Sequence, residues 1–422
     1  MTPEIIAIIV LAALFIVSTI RDVHLGVACA AAAWLVGVFV FDATVPEIAA
    51  GFPADLFITL VGVTFLFALA EKAGAISAIV YGAVKLVGGR VALMPWVIFV
   101  VTALIAGVGA ATPAAAAIVG PIAMGMARKH DIHPVLMGMA VIQGASAGSF
   151  SPMGVYGMII NEIVDVNHLP GSPAFLFGAS FVFILLTVVV CFFAFDGIKH
   201  WKQDQADHAA GVDHTADLEH PQWSATLIAA IAAIVILGVL AFGLDLHIGF
   251  SAMVIVVVFT AIFPAVSRGA VGNVTWSTVL LVCGVVMYVN LLQNQGVVDW
   301  LGHSVAGIGA PLLAALVICL IAAVVSALAS TTGILGALVP LAVPFLLTGE
   351  VWAIGLVAAL AISASVVDCS PFSTNGALMV AFTDESKREP AYRSFMAWGF
   401  SLVIIGPVLS WLALVVVPGL AS

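Results

Sequence analysis

Long apolar stretches recur along nearly the whole chain, and charged residues are almost absent from them. Residues 4–20, 25–41, 55–71, 134–162, 173–198, 223–243, 248–264, 276–294, 352–383 and 393–417 are all of this kind. A helix needs roughly 20 such residues to cross a bilayer. The composition leaves no other home for them: 63% of the 422 residues are hydrophobic and only 8% charged, against about 25% charged in a soluble domain. A soluble enzyme, a nucleic-acid binder and a disordered chain are therefore excluded. Strands of a membrane barrel would alternate apolar and polar residues, and these runs do not. The expected class is an all-α membrane protein. The five cysteines sit in apolar segments and read as small packing residues, not a disulfide framework. The opening run, MTPEIIAIIVLAALFIVSTI, has no basic region before it and is read as the first membrane helix.

Two pairs of segments are too close together to be ordinary spans. Residues 92–108 and 113–127 are separated by GAAT, and residues 311–328 and 333–348 by ASTT. Four residues cannot carry a chain out through the headgroups and back. Each pair reads as a re-entrant hairpin (92–127 and 311–348) whose tip lies inside the membrane, covered by protein or a water-filled cavity. The halves also match each other. Thr112 and Thr331 are 219 residues apart, as are Pro121 and Pro340, and Ser151-Pro152 and Ser370-Pro371. Lys-Ala-Gly at 72–74 resembles Asn-Gln-Gly at 294–296. The expected layout is two repeats, each with five spanning helices, one hairpin and a helix broken at Ser-Pro. The first occupies residues 1–200 and the second 223–422, joined by a linker at 201–222.

Charge placement orients them. With both ends of the first hairpin on the cytoplasmic side, all twelve Lys and Arg residues fall inside. The opposite side carries Glu4, Asp42, Glu47, Glu162, Asp165, Asp245, Asp299 and Glu350 and no basic residue. Five crossings is an odd number, so the second repeat is inverted, both termini are outside, and the second hairpin enters from outside. Inverted repeats with broken helices are a transporter architecture.

The chemistry is expected at the tips and breaks. Each hairpin tip starts a helix whose free N–H groups and partial positive charge suit a carboxylate. The breaks, Gln143 to Pro152 and Ser363 to Pro371, free backbone carbonyls beside Ser hydroxyls, the hard oxygens that a small cation takes. Asp368, the counterpart of Ser149, is the one acidic residue far from a membrane surface. Such a residue is functional by default, as a sodium ligand or a proton carrier. No Lys or Arg lies in this core, so an anion there would depend on helix ends, hydroxyls and co-bound cations. Importing a dianion against 100 mV costs about 4.6 kcal/mol, which calls for at least two coupled cations. The four His of the linker (His200, His208, His214, His220) read as solvated, and His130 and His133 as simply exposed.

The hairpins, the two Ser-Pro breaks and the inverted repeat resemble the ion-transporter superfamily, and more closely its MatC-type dicarboxylate carriers, whose assigned substrate is malonate. Divalent-anion/sodium symporters of that superfamily carry Ser-Asn-Thr at both tips, where the tips bind carboxylates and the adjoining loops bind sodium. The matching positions here are Ala110-Ala111-Thr112 and Ala329-Ser330-Thr331. Their Thr-Pro-Pro-Asn is similar to Ser151-Pro152-Met153-Gly154 and Ser370-Pro371-Phe372-Ser373. The resemblance implies a scaffold and dimer interface from residues 4–85 and 223–300. It also implies a transport domain, residues 92–200 and 311–418, that slides as an elevator, in a homodimer of the cell's inner membrane.

The resulting expectation is a secondary active carrier, not an enzyme, that imports a small dicarboxylate by cation symport. Ala111, Thr112, Ser330, Thr331, Ser151 and Ser370 are expected to contact the substrate. Gly144, Ser146, Ser149, Ser365, Asp368 and Thr332 are expected to hold the coupling cations, sodium favoured over protons. No cofactor, transition metal or nucleic acid is expected; membrane lipid is. Carriage of citrate or succinate, or sodium/proton antiport on the same fold, are the other readings. A membrane-embedded enzyme is disfavoured because the core holds one carboxylate and no partnered base.

Overall fold

The computed structural model describes residues 2–21, 23–87, 90–201, 222–244, 246–297, 300, 311–327, 331–347 and 351–421. The described residues are helical, with turns between helices and no strand. The first half contains α1 (Pro3–Arg21), α2 (Leu25–Val40), the short α3 (Val45–Ala50), α4 (Ala54–Lys72), α5 (Ala75–Leu86), α6 (Met94–Gly107), α7 (Thr112–Lys129), α8 (Pro134–Ser149), α9 (Val155–Val166) and α10 (Pro173–Ala194). The second contains α11 (Ala225–Gly238), α12 (Ile248–Ile262), α13 (Trp276–Asn294), α14 (Pro311–Ser326), α15 (Thr331–Leu347), α16 (Ala353–Val366), α17 (Thr374–Phe382) and α18 (Glu385–Trp411). The 201–222 linker lies almost wholly outside the described residues, as does the turn between α14 and α15.

Helix ends follow local chemistry. Proline occupies the first turn of α6, α7, α8 and α10, where its missing N–H costs nothing. Ser172, Ser224 and Ser373 accept from backbone N–H groups of Phe175, Leu227 and Gly376 and so cap α10, α11 and α17. His24 and His247 cap α2 and α12 in the same way.

Matched positions in the two halves adopt matched structure. α6 and α14 end at Gly107 and Ser326, α7 and α15 begin at Thr112 and Thr331, α8 and α16 at Pro134 and Ala353, and α9 and α17 at Val155 and Thr374. Each pair is separated by the same 219 residues as the sequence motifs. α4 and α13 both end two residues after their last apolar residue, and the glycines that follow, Gly74 and Gly296, both take positive φ, 78° and 70°. Only glycine adopts that left-handed turn without strain.

The halves interlock through two helix crossings. α4 packs on α12 and α13 on α2. A Cβ at Gly62 would stand 2.5 Å from the Gly249 carbonyl oxygen, and one at Gly284 only 1.9 Å from that of Gly26. Bare backbone at both crossings lets the helices touch, the small-residue packing used between helices in lipid. The crossings are tied at their ends by His247 to Asp55 and by His24 to Ser277 (3.1 Å).

Four helices among those described are long and apolar enough to cross a membrane: Ala54–Lys72, Pro173–Ala194, Trp276–Asn294 and the 35-residue run Glu385–Gly419. Val182, Leu186, Val190 and Phe193 on α10, and Val254, Val257, Val258 and Ile262 on α12, are all more than half exposed. Such a belt is unfavourable in water and neutral in hydrocarbon. The protein is a multi-pass membrane protein. Inside the belt, α8 and α16 are buried on nearly every side, and both lead into the breaks.

At the end of the bundle where α7 meets α8, Lys387 pairs with Asp131 (2.7 Å) and Arg128 with Asp384 (3.9 Å). Lys387 holds the Asp131 carboxyl below the usual carboxylate range. His133 is not simply exposed as expected. It is half-buried, its Nδ1 accepts from Val135 N (3.2 Å), and it caps α8. Burial pushes its pKa below the usual 6.5. The reason is tertiary: the Phe195 ring, at the end of α10, lies 4.7 Å from its imidazole.

Candidate functional site

The first hairpin turns at Gly109, whose φ of 111° demands glycine, and delivers Ala111 and Thr112 to the start of α7. Ala111 is the cap residue and is buried, with no side-chain hydrogen bond to offer. Thr112, the first helical residue, turns its hydroxyl away from its own helix to Tyr156 OH, 3.0 Å away. At the second tip, Thr331 opens α15 and its hydroxyl lies 3.0 Å from Ser326 Oγ, which itself donates to the Ala364 carbonyl (2.6 Å). Thr331 and Thr332 are buried, and α15, which they open, packs against the Tyr156 helix α9. Ser330 lies outside the described residues.

Tyr156 is one of the buried residues between the two halves. Its ring is fully buried and held by Phe150, centroids 5.3 Å apart. It follows the first break, bonds the first tip through Thr112, and lies near enough to Asp368 of the second break to feel its charge. Asp368 is buried and takes a hydrogen bond from Asn375 Nδ2 on Oδ2 (2.7 Å). Its backbone oxygen accepts from Ser373 Oγ (2.6 Å). Tyr156 and Asn375 are themselves 219 residues apart, so the residue that bonds Thr112 and the residue that bonds Asp368 hold equivalent positions in the two repeats. Sequence reading passed over Tyr156. The available signal was its place seven residues past Ser149, the match to Asn375, and its being one of only four tyrosines.

Other expected residues have structural partners. Ser151 donates to the carbonyl of Gly107 at the end of α6. The Ser370 hydroxyl accepts from Phe372 N (3.3 Å), and Ser365 bonds back to Ile362 O (3.2 Å). Gly144 lets α8 sit on α6, since a Cβ there would be 2.5 Å from the Phe99 carbonyl oxygen. Ser146 and Ser149 differ from these. Both hydroxyls are fully buried and have no hydrogen-bond partner, as are Gln143 Oε1 and Asn375 Oδ1. Gln143 spans the halves by donating to Val366 O (2.8 Å). Unpartnered buried oxygens are costly, and a bound cation is one way to satisfy them.

The arrangement therefore offers two helix N-termini, a phenol, several hydroxyls and one carboxylate among buried residues, with no basic side chain. Its possible ligands are anions at the helix starts and small cations at the oxygens. Among the described residues no group of three or more His, Cys, Asp and Glu is placed to hold a metal.

Residues 1–149 match the family model of the dicarboxylate carrier protein MatC N-terminus. That family is one of carriers rather than enzymes. The matched stretch ends with α8, so it includes Thr112 and the first hairpin and stops short of Tyr156. The solved structure of the YdaH transporter from Alcanivorax borkumensis, described as having an unusual topology, is similar to this chain. The TM-score is 0.57 at 12% identity, with 86% of each chain covered. At that identity the likeness is one of fold. No curated protein sequence matches the chain.

Proposed function

We propose that this protein is a secondary active carrier that imports a small dicarboxylate, with malonate the favoured substrate, by symport with cations, sodium before protons. The observation that carries the reading is two buried hairpin N-termini, Thr112 bonded to Tyr156 and Thr331 on a helix packed against the Tyr156 helix, with the buried Asp368 held by Asn375, in a core without Lys or Arg. Two helix starts suit the two ends of a dicarboxylate. With no arginine fork, the charge must be balanced by cations at Asp368 and at the unpartnered oxygens of Ser146 and Ser149. The match of residues 1–149 to the carrier family supports the same substrate class.

The paired helix boundaries support two inverted repeats, the first hairpin entering from the cytoplasm and the second from outside. In that topology the contacts of Lys72 with the Arg268 carbonyl and of Lys387 with Asp131 fall together on the inner side, and those of His247 with Asp55 and of Gln293 with the Val166 carbonyl on the outer side, which supports the reading. On this reading α1–α5 and α11–α13 are a scaffold in the inner membrane, arranged as a homodimer, and the hairpins, broken helices and α10 and α18 move together as an elevator. Both termini are periplasmic.

The test is labelled malonate uptake into proteoliposomes, with sodium and proton gradients imposed separately and succinate and citrate as competitors. Sodium-driven uptake is expected. Asp368→Asn should fold and lose cation-dependent uptake by at least ten-fold. Uptake in that variant with the normal cation dependence refutes the role of Asp368. Absence of uptake of any dicarboxylate by folded protein refutes the carrier reading and favours sodium/proton antiport.

A further inference from the structure

Resting on the re-entrant reading of the first hairpin, which sets the base of α7 at the headgroups, we infer that the cleft between α5 and α7 binds the phosphate and upper acyl chains of an anionic phospholipid. The cleft holds a cavity of about 410 Å³. One wall is the α5 face that carries Ser77, Val80 and Tyr81, residues three and four positions apart. The other is the α7 face that carries Pro121, Ile122 and Gly125. A Cβ at Gly125 would have nothing within 4 Å, so no neighbouring side chain fills the space in front of it. Ser77 and Pro121 are exposed, which leaves the cavity accessible from outside the protein.

The lining changes character along α7. Val80, Ile122 and Met126 give it apolar surface, and past Met126 stand Arg128, Lys129 and His130. From Ile122 to Lys129 the helix rises about 10 Å, a span that joins a headgroup phosphate to the upper part of its chains. Tyr81 adds a phenol, a side chain that membrane proteins place at headgroup level. Basic residues in the last turn of a helix also offset its dipole and follow the general charge rule with no ligand present. What distinguishes this end is that none of the described residues lining the cavity is acidic. A smaller cavity of about 230 Å³ against α18 shows the contrast. Lys199 and Lys387 line it, but so do Asp131 and Asp196, and Lys387 donates to Asp131 at 2.7 Å. Its charges are balanced from within. Arg128 has its carboxylate partner in Asp384, which does not line the cavity and lies 3.9 Å away, beyond hydrogen-bond distance. A guanidinium carries five N–H donors, so that pair leaves it able to hold a phosphate.

These features select the ligand. A soluble phosphate would use the basic end and leave the apolar walls wet. A zwitterionic lipid would bring a cation of its own against Arg128 and Lys129. An anionic phospholipid matches both parts, and basic pockets between membrane helices commonly take such headgroups.

The test is native mass spectrometry of the purified protein in detergent, titrated with phosphatidylglycerol, with phosphatidylcholine of the same chains, or with glycerol phosphate. Phosphatidylglycerol is expected to bind at least ten-fold more tightly than phosphatidylcholine. One basic residue beside an anionic headgroup is worth about five-fold, so Lys129→Gln should weaken binding by about that factor. Lys85→Gln removes the same charge from the end of α5, where it does not line the cavity, and should change binding less than two-fold. Gly125→Leu should fill the empty space and remove tight binding without altering any charge. Equal losses in Lys129→Gln and Lys85→Gln overturn the site, because charge anywhere on that surface would then suffice. So does wild-type binding in Gly125→Leu, or phosphatidylglycerol that binds no more tightly than phosphatidylcholine. Displacement of the lipid by an equal concentration of glycerol phosphate makes this a site for soluble anions and overturns the lipid. Should Gly125→Leu not fold, the comparison of the two lysine variants decides. Loss of the lipid site would leave malonate uptake untouched, and failure of malonate uptake would leave the lipid titration standing.

Discussion

The interlock of the two halves makes a quantitative demand on two glycines. A Cβ at Gly284 would lie 1.9 Å from the Gly26 carbonyl oxygen, and ordinary contact begins near 3.4 Å. Gly284→Ala therefore requires α13 and α2 to separate by about 1.5 Å, and a backbone oxygen cannot turn aside as a side chain could. At Gly62 the contact to Gly249 is 2.5 Å, so Gly62→Ala requires about 0.9 Å. Gly125 on α7 has nothing within 4 Å of its Cβ position and requires no movement. Overpacking of this kind costs typically 1–3 kcal/mol, whereas glycine to alanine at an unhindered helix position gains up to about 1 kcal/mol. Gly284→Ala should fall at the upper end of that range, Gly62→Ala below it, and Gly125→Ala at or above wild-type stability. Thermal unfolding in a fixed detergent reads the order directly. If Gly284→Ala is as stable as Gly125→Ala, the close crossing of α2 and α13 is wrong, and with it the packing that joins the repeats.

Two further outcomes are expected. Burial holds the His133 pKa below 6.5, with Asp196 pulling it up and Lys387 pushing it down, so the neutral ring that caps α8 is favoured by folding. Its contribution is complete above pH 6.5 and is lost as the pH falls below that value. His133→Asn keeps a capping oxygen and removes the titration. Its melting temperature should decline less than that of wild type between pH 7.5 and 5.5, and parallel curves would refute the cap. Ser326→Ala removes the hydroxyl that joins Thr331 to the Ala364 carbonyl and leaves that buried oxygen unpaired, at a cost of about 1–3 kcal/mol. An unchanged unfolding midpoint would show that the bond contributes nothing.

Much of this protein was legible from its residues. Apolar runs with few charges dictate a helical membrane protein, since the cost of burying charge in hydrocarbon is independent of tertiary detail. Thr112 with Thr331 and Ser151 with Ser370 mark equivalent positions, and the helices begin and end accordingly. Asp368 stood out because a lone acid in an apolar run is expensive wherever it sits. Partners were another matter. Ser151 and Ser370 are equivalent in sequence, yet one bonds the neighbouring hairpin and the other its own turn. Ser146 and Ser365 look alike as hydroxyls in buried helices, yet only Ser365 has a partner. His133 became a half-buried cap because α10 ends against it. Above all, Tyr156 is an unremarkable aromatic residue in its own helix. It becomes the partner of Thr112, and comes near Asp368, only when the helices of both halves pack together. Hydropathy, repeats and breaks are written in neighbouring residues and survive any rearrangement of the fold. The direction of a side chain, and which hydroxyl is left without a partner, follow from contacts between residues more than 250 positions apart in places, and only close packing of the two halves decides them.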